Sequence, residues 1–192
     1  MTETERPLRA DARRNREKIM ASAAELFARL GTEAQMDQIA EHSGLGLGTL
    51  YRHFPTKEAL LAAIVTRRFE DLADLARAAE QIDDPGEAFD TLLRSYLESA
   101  VGDAGLQLAL LGSGGGQPDG APAKKGEFRT IVSRIIDRAI AAGTVRADLT
   151  VADFPIIICG IMSTMYYKPG GTEDDWRRHL ALVLDGIRAK AR

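Results

Sequence analysis

Met36 to Phe54, MDQIAEHSGLGLGTLYRHF, is the stretch on which the fold turns. It reads as two short helices joined by a tight turn. The first runs from Met36 to Ser43, and Met36, Ile39 and Ala40 fall at i, i+3 and i+4, the spacing of a buried helical face. Gly44 follows directly, at a left-handed C-cap that glycine takes without strain. Leu45 fills the corner. The second helix begins near Leu47 and ends at Phe54, because Pro55 pushes the residue before it out of the α region. Leu50 and Phe54 face inward, and Gly48, Thr49, Tyr51, Arg52 and His53 face outward.

That outward face suits one surface in particular. Its small front end can approach base edges, and its Tyr, Arg and His can donate to phosphate oxygens. The plain alternative is a helical hairpin with a polar outer face, since helix-turn-helix geometry also occurs in proteins that never touch DNA.

The window Asp11 to Val65 resembles the N-terminal domain of the TetR family of bacterial transcriptional regulators. The matching residues are Ile19, Ala23, Leu26, Phe27 and Gly31; then Ile39-Ala40, Gly44 and Gly48-Thr49-Leu50-Tyr51-Arg52-His53-Phe54; then Lys57-Glu58-Ala59-Leu60. The resemblance implies an all-α, TetR-like fold of about nine helices. It has an N-terminal three-helix helix-turn-helix domain and a C-terminal helical bundle. By the same resemblance, Gln35, Met36 and Asp37 begin the first DNA-side helix. Leu47, Gly48 and Thr49 sit where the recognition helix meets bases, with Gly46 in the turn just before them. Tyr51 and His53 match its backbone-contacting positions, with Arg52 between them a phosphate donor by its place on the outward face, and Lys57 matches a phosphate contact at the next helix. Two departures stand out. Gln35 replaces the usual Ser or Thr and is a poorer N-cap. Gly46 replaces a polar turn residue, which shifts the expected specificity toward DNA shape and phosphate contacts.

Length and composition are those of a globular, soluble protein. The chain has 192 residues, 45% hydrophobic and 28% charged. Net charge is −3, but residues 1–58 hold nine Lys/Arg and nine Asp/Glu, so their balance is zero. Positive charge is local: Arg6, Arg9, Arg13, Arg14, Arg16 and Lys18 form a cluster. It reads as a basic arm along the DNA, Arg13 and Arg14 foremost, or as a solvated leader. The single Cys159 excludes an internal disulfide and fits a reducing cytosol. No secretory signal is visible at the N-terminus, and the longest uncharged run, Phe154 to Tyr167, is short for a membrane span. A cytoplasmic protein without a membrane partner is expected.

Along the chain, residues 1–10 read as a disordered arm, 11–58 as the helix-turn-helix domain, and 59–192 as a ligand-binding and dimerisation domain. The first helix is expected at Asp11 to Arg29 and a long one at Lys57 to Gln81, capped by Thr56. The latter belongs to both domains and would act as a lever. Further helices are expected at Glu87–Val101, Leu106–Leu111, Lys124–Ala142, Asp153–Tyr166 and Glu173–Lys190. Thr150 and Asp153 read as a capping pair. The Gly- and Pro-rich run Gly112 to Ala123 reads as a flexible loop. It lacks the Gly-Lys-Ser/Thr ending of a phosphate loop.

A pocket for a small apolar ligand is expected among the central helices. Its candidate lining is Leu92, Tyr96, Leu106, Leu110, Phe128 and Ile131, with Ile135, Ile158, Met162, Met165 and Tyr166. Plain core packing explains the same spacing. The last two helices carry apolar stripes through Phe154 and Ile161, and through Trp176, Leu180, Val183, Leu184 and Ile187. The resemblance implies that they pair with their copies as a homodimer. One recognition helix covers few base pairs, whereas a two-fold dimer reads an inverted-repeat operator in double-stranded DNA. His42, His53, His179 and Cys159 lie in four separate elements, without zinc-ligand spacing. Cys159 lies in the most apolar helix, where a thiol reads as inert packing. No nucleophile elbow is present. Neither catalysis, cofactor nor metal is expected. The reading is a ligand-responsive repressor; its rivals are a DNA-bound scaffold for a protein partner and a small helical enzyme.

Overall fold

The structure is a computed structural model that describes residues 5–101, 121–167 and 173–189. Among these residues it is all-helical: α1 (Glu5–Leu30), α2 (Met36–His42), α3 (Leu47–His53), α4 (Lys57–Glu80), α5 (Pro85–Val101), α6 (Ala121–Ala141), α7 (Asp153–Tyr167) and α8 (Glu173–Ile187). The expected helix Leu106–Leu111 and the loop that follows it lie almost wholly outside the described residues. The chain divides into two compact units between Arg68 and Phe69, inside α4 and beyond the boundary expected at residue 58.

In the first unit, α1 starts at Glu5, so residues 5–10 continue the helix instead of forming a disordered arm. Pro7 does not prevent this, because a first-turn residue has no intrahelical acceptor for its N–H. Gly31 ends α1 at φ 58°. Met36, Ile39 and Ala40 are buried as their spacing predicts, with Ile19, Phe27, Leu50, Phe54 and Leu60 around them. Gly44 has φ 66°. Its N–H donates to Glu41 O at 3.0 Å, and Leu45 N–H donates to Ala40 O at 3.1 Å, so carbonyls orphaned at the end of α2 are satisfied. Leu45 packs half-buried on the core. Thr56 Oγ1 accepts Ala59 N–H at 3.1 Å and caps α4.

The second unit is built on Leu72, Phe89, Leu92, Leu93, Leu97, Ile135 and Trp176. Helix α5 begins at Pro85, earlier than expected, because Asp84 Oδ1 accepts Glu87 N–H at 2.7 Å and so acts as its cap. Four aromatic rings meet at its centre: Tyr96 lies 5.6 Å edge-on from Phe154, Phe128 lies 5.8 Å from Phe154, and Phe69 lies 6.2 Å from Phe128. A polar seam joins α4 to α6. Arg134 Nε donates to Glu80 at 2.6 Å, and Arg138 donates to the carbonyls of Glu80 at 2.6 Å and Ile82 at 2.9 Å. The bond from Arg134 holds the Glu80 carboxyl below its usual range. The capping pair expected before α7 is present: Asp153 Oδ2 accepts Thr150 N–H and Oγ1–H, both at 2.8 Å.

The end of α8 is clasped to the segment after α6. Val145 and Arg188 form an antiparallel bridge, Arg146 N–H donates to Ile187 O at 2.8 Å, and Ala189 N–H donates to Thr144 O at 3.2 Å.

The dimer stripe needs correction. Phe154, Ile161, Trp176, Leu180 and Leu184 are buried within the single chain, and Val183 and Ile187 pack half-buried on the same core. A helix turns its widest apolar stripe toward its own core, so these side chains are not free to meet a second copy. The face of α7 and α8 left open carries Ile156, 69% exposed, and Leu182, 53% exposed, with Gly160 and Ser163 also exposed. Cys159, expected as inert packing, is exposed on that face too.

Candidate nucleic-acid interface

Helix α3 is seven residues long and is anchored by Leu50, which is fully buried, and by Phe54 just beyond its end. With those two side chains inward, the opposite face is fixed. Leu47 is 43% exposed and Tyr51 45% exposed. Gly46, Gly48 and Arg52 are also exposed, while Thr49 and His53 are half-buried. Arg52 Nε donates to Gly48 O at 3.3 Å, which lays its side chain back along the helix. A Cβ added at Gly46 or Gly48 would meet nothing within 4 Å. Neither has the positive φ that would require glycine. The chain's own packing thus gives no reason for these glycines, and their effect is to leave the front of α3 low and open.

The surrounding residues fall into two groups. Gln35, Asp37, Arg13 and Arg14 are exposed. Gln35, the poor N-cap, is helped by Gln38, whose Oε1 accepts Gln35 N–H at 2.9 Å. Asp37 Oδ1 accepts Gln38 N–H at 2.8 Å. Arg14 pairs with Asp11 at 2.5 Å, and Arg13 lies 3.9 Å from Glu17, both pairs on the exposed flank of α1. Met36 belongs to the other group. Its side chain is in the core, because it supplies the first position of the buried face of α2, so it is not an exposed contact. Lys57 is half-buried, with its Nζ 5.8 Å from the centre of the Phe27 ring. One positioning residue escaped sequence reasoning. Arg16 stands 5.1 Å over the Phe54 ring, bracing the residue that ends α3. Arg16 belongs to the basic cluster, but nothing in its spacing pointed to Phe54. His42 similarly braces α2 on α1, with Nε2 2.8 Å from Glu25.

In the second unit, Leu92, Phe128, Ile131, Ile135, Ile158 and Met162 are buried together in one packed core, and Tyr96 is half-buried against it. Leu106 and Leu110, and the side chains of Met165 and Tyr166, lie outside the described residues. A separate open cleft of about 470 Å³ is bordered by Asp90, Arg94, Thr144, Leu184 and Arg188. Burial there raises the Asp90 carboxyl above its usual range, against the pull of Arg188 at 3.4 Å. No sequence pattern pointed to it, because its walls come from three distant stretches.

Comparison with known proteins agrees with this arrangement. The family model for bacterial regulatory proteins of the tetR family matches residues 19–64, and the model for the SbtR-like transcriptional regulator C-terminal domain matches residues 84–189. A TetR transcription regulatory protein from Mycobacterium vanbaalenii is 36% identical, with 95% of this chain and 99% of that one covered at a TM-score of 0.66. The chain belongs to the TetR family of bacterial transcriptional regulators. A second TetR regulator, from Streptomyces coelicolor, is 32% identical over 92% of this chain and 99% of its own, at a TM-score of 0.64. FadR of Bacillus subtilis, solved in complex with stearoyl-CoA, shares the TetR fold at 18% identity and a TM-score of 0.73, covering 89% of this chain and 98% of its own. An HTH-type transcriptional regulator of Staphylococcus aureus is 43% identical over 61 residues, 31% of this chain. That match spans a third, 33%, of the relative's length. Among the described residues of this TetR-family chain, no helix is long and apolar enough to cross a membrane.

Proposed function

We propose that the chain is a sequence-specific repressor that binds an inverted-repeat operator as a homodimer and releases it when a small, largely apolar ligand enters the second unit. The observation that carries this reading is the outward face of α3. It has an open front at Gly46, Leu47 and Gly48, flanked by Tyr51, Arg52 and His53, on a helix fixed by Leu50 and Phe54. The front offers shape and apolar contact, and the flanks offer phosphate donors. The dimer contact is assigned to the open face of α7 and α8, around Ile156, Gly160 and Leu182. FadR, a protein of the same fold, was solved in complex with stearoyl-CoA, which supports a small-molecule ligand for this chain too.

Helix α4 runs without a break from one unit into the other. A ligand that favours one placement of its second half shifts the population of its first half. A coupling of about 1–3 kcal/mol lowers operator affinity roughly 5- to 150-fold, and DNA weakens ligand binding by the same factor. The deciding experiment is selection of bound sequences from random duplex DNA by the purified chain. The expected product is an inverted repeat with half-sites about one helical turn, or a multiple, apart. Recovery of no preferred sequence would end the proposal.

Two side chains separate positioning from reading. Lys57→Ala should weaken binding to every duplex alike and reduce the slope of affinity against salt by about one unit. Thr49→Ala should instead change the preferred sequence. If Thr49→Ala lowers affinity equally on all sequences, Thr49 does not read bases.

A further inference from the structure

The inward stripe of α8 is apolar except at two positions. Trp176, only 2% exposed, and His179 stand three residues apart and so share a face. Trp176 Nε1 and His179 Nδ1 are both buried, and among the described residues neither meets a hydrogen-bond partner. The indole is held in place from above, with the Arg177 guanidinium 4.7 Å from its centre. Leaving a buried polar group unmatched is costly, and few such groups persist in a native fold, so each calls for a partner. Phenylalanine and leucine would fill the same space at no such cost. The rest of the stripe, Leu180, Val183, Leu184 and Ile187, is made of residues of that kind.

We propose that Trp176 Nε1 and His179 Nδ1 are the polar anchor of a ligand site in the second unit, and that the ligand carries a hydrogen-bond-accepting head, a carboxylate or a carbonyl, on an apolar body. The indole nitrogen can only donate, which requires an acceptor. His179 donates in the form that carries hydrogen on Nδ1. A carboxylate can accept from both donors on this face, and a carbonyl from one or both. The core cluster that holds Trp176 also holds Phe128, Ile158 and Met162, an environment suited to an alkyl or ring body. The inference rests on the second unit being the ligand-binding one, and it adds the chemistry of the ligand's head.

Three probes with a common ten-carbon body test it on the full chain: decanoate, 2-decanone and decylammonium, each below its micelle-forming concentration. Trp176 is the chain's single tryptophan, so its emission reports directly. Decanoate and 2-decanone should shift that emission and raise the melting temperature, and decylammonium should do neither. By calorimetry, Trp176→Phe and His179→Leu should each weaken decanoate at least tenfold while melting no lower than the parent chain. Equal binding of all three probes, binding of none, or undiminished decanoate binding in both variants would overturn the anchor. Head-group preference in the parent chain stays decisive even if one variant fails to fold. Failure of the anchor is distinguishable from failure of the repressor reading. An unrelated compound that releases operator DNA equally well from both variants would remove the first and leave the second standing.

Discussion

Leu182→Asp should produce a well-folded monomer whose affinity for operator DNA has fallen by about three orders of magnitude, to the level of non-specific binding. Leu182 is 53% exposed on α8, so its replacement removes nothing from the core. A carboxylate there would have to be desolvated in the proposed dimer contact, which also takes in the exposed Ile156 and Gly160 of α7. Once the two copies separate, each recognition helix binds alone. Sedimentation velocity and DNA titration at fixed salt read the two effects together. Leu180→Ala, two residues away, provides the contrast. Leu180 is buried in the chain's own core, so the change should destabilise the fold by about 2–5 kcal/mol. A Leu182→Asp chain that remains dimeric would move the dimer interface off this face.

Two leucines of α3 should separate in the same way. Leu50→Ala should cost the first unit about 2–5 kcal/mol, because Leu50 is fully buried between α1, α2 and α4 residues such as Ile19, Ile39 and Leu60. In so small a unit that is a large share of total stability, and DNA binding should disappear with the fold. Leu47→Ala removes a side chain that is 43% exposed, and melting should hardly change. What should change is the sequence selected, since an apolar side chain at the front of a recognition helix reads the thymine methyl group. Equal melting of the two variants would contradict the inward and outward assignment of α3.

The first unit was legible because each local signal agreed with the next. Met36, Ile39 and Ala40 have helical spacing, Gly44 supplies the left-handed turn and Pro55 supplies the stop, and all three take the roles their chemistry dictates. The start of α1 was missed because Pro7 and a run of charge look like a disordered leader, although both are compatible with a first helical turn. At Met36 the family resemblance points to a DNA contact, while the residue's own spacing puts its side chain in the core. On α7 and α8 periodicity found the strongest apolar stripe. It could not say whether that stripe faces the same chain or a second copy, and the chain's own bundle takes it. That no described residue matches the nitrogens of Trp176 and His179 has no sequence signature, since satisfaction depends on neighbours that come together only in the fold.

The clasp at Val145 and Arg188 has a kinetic consequence. It joins two points far apart along the chain and so closes a ring around α7 and α8. The bonds from Arg146 to Ile187 and from Ala189 to Thr144 hold that ring shut. The amide protons of Arg146 and Ala189 lie beyond the ends of helices, where exchange with heavy water is ordinarily fast. Here they should exchange slowly and in step with each other, at the rate at which the whole ring opens.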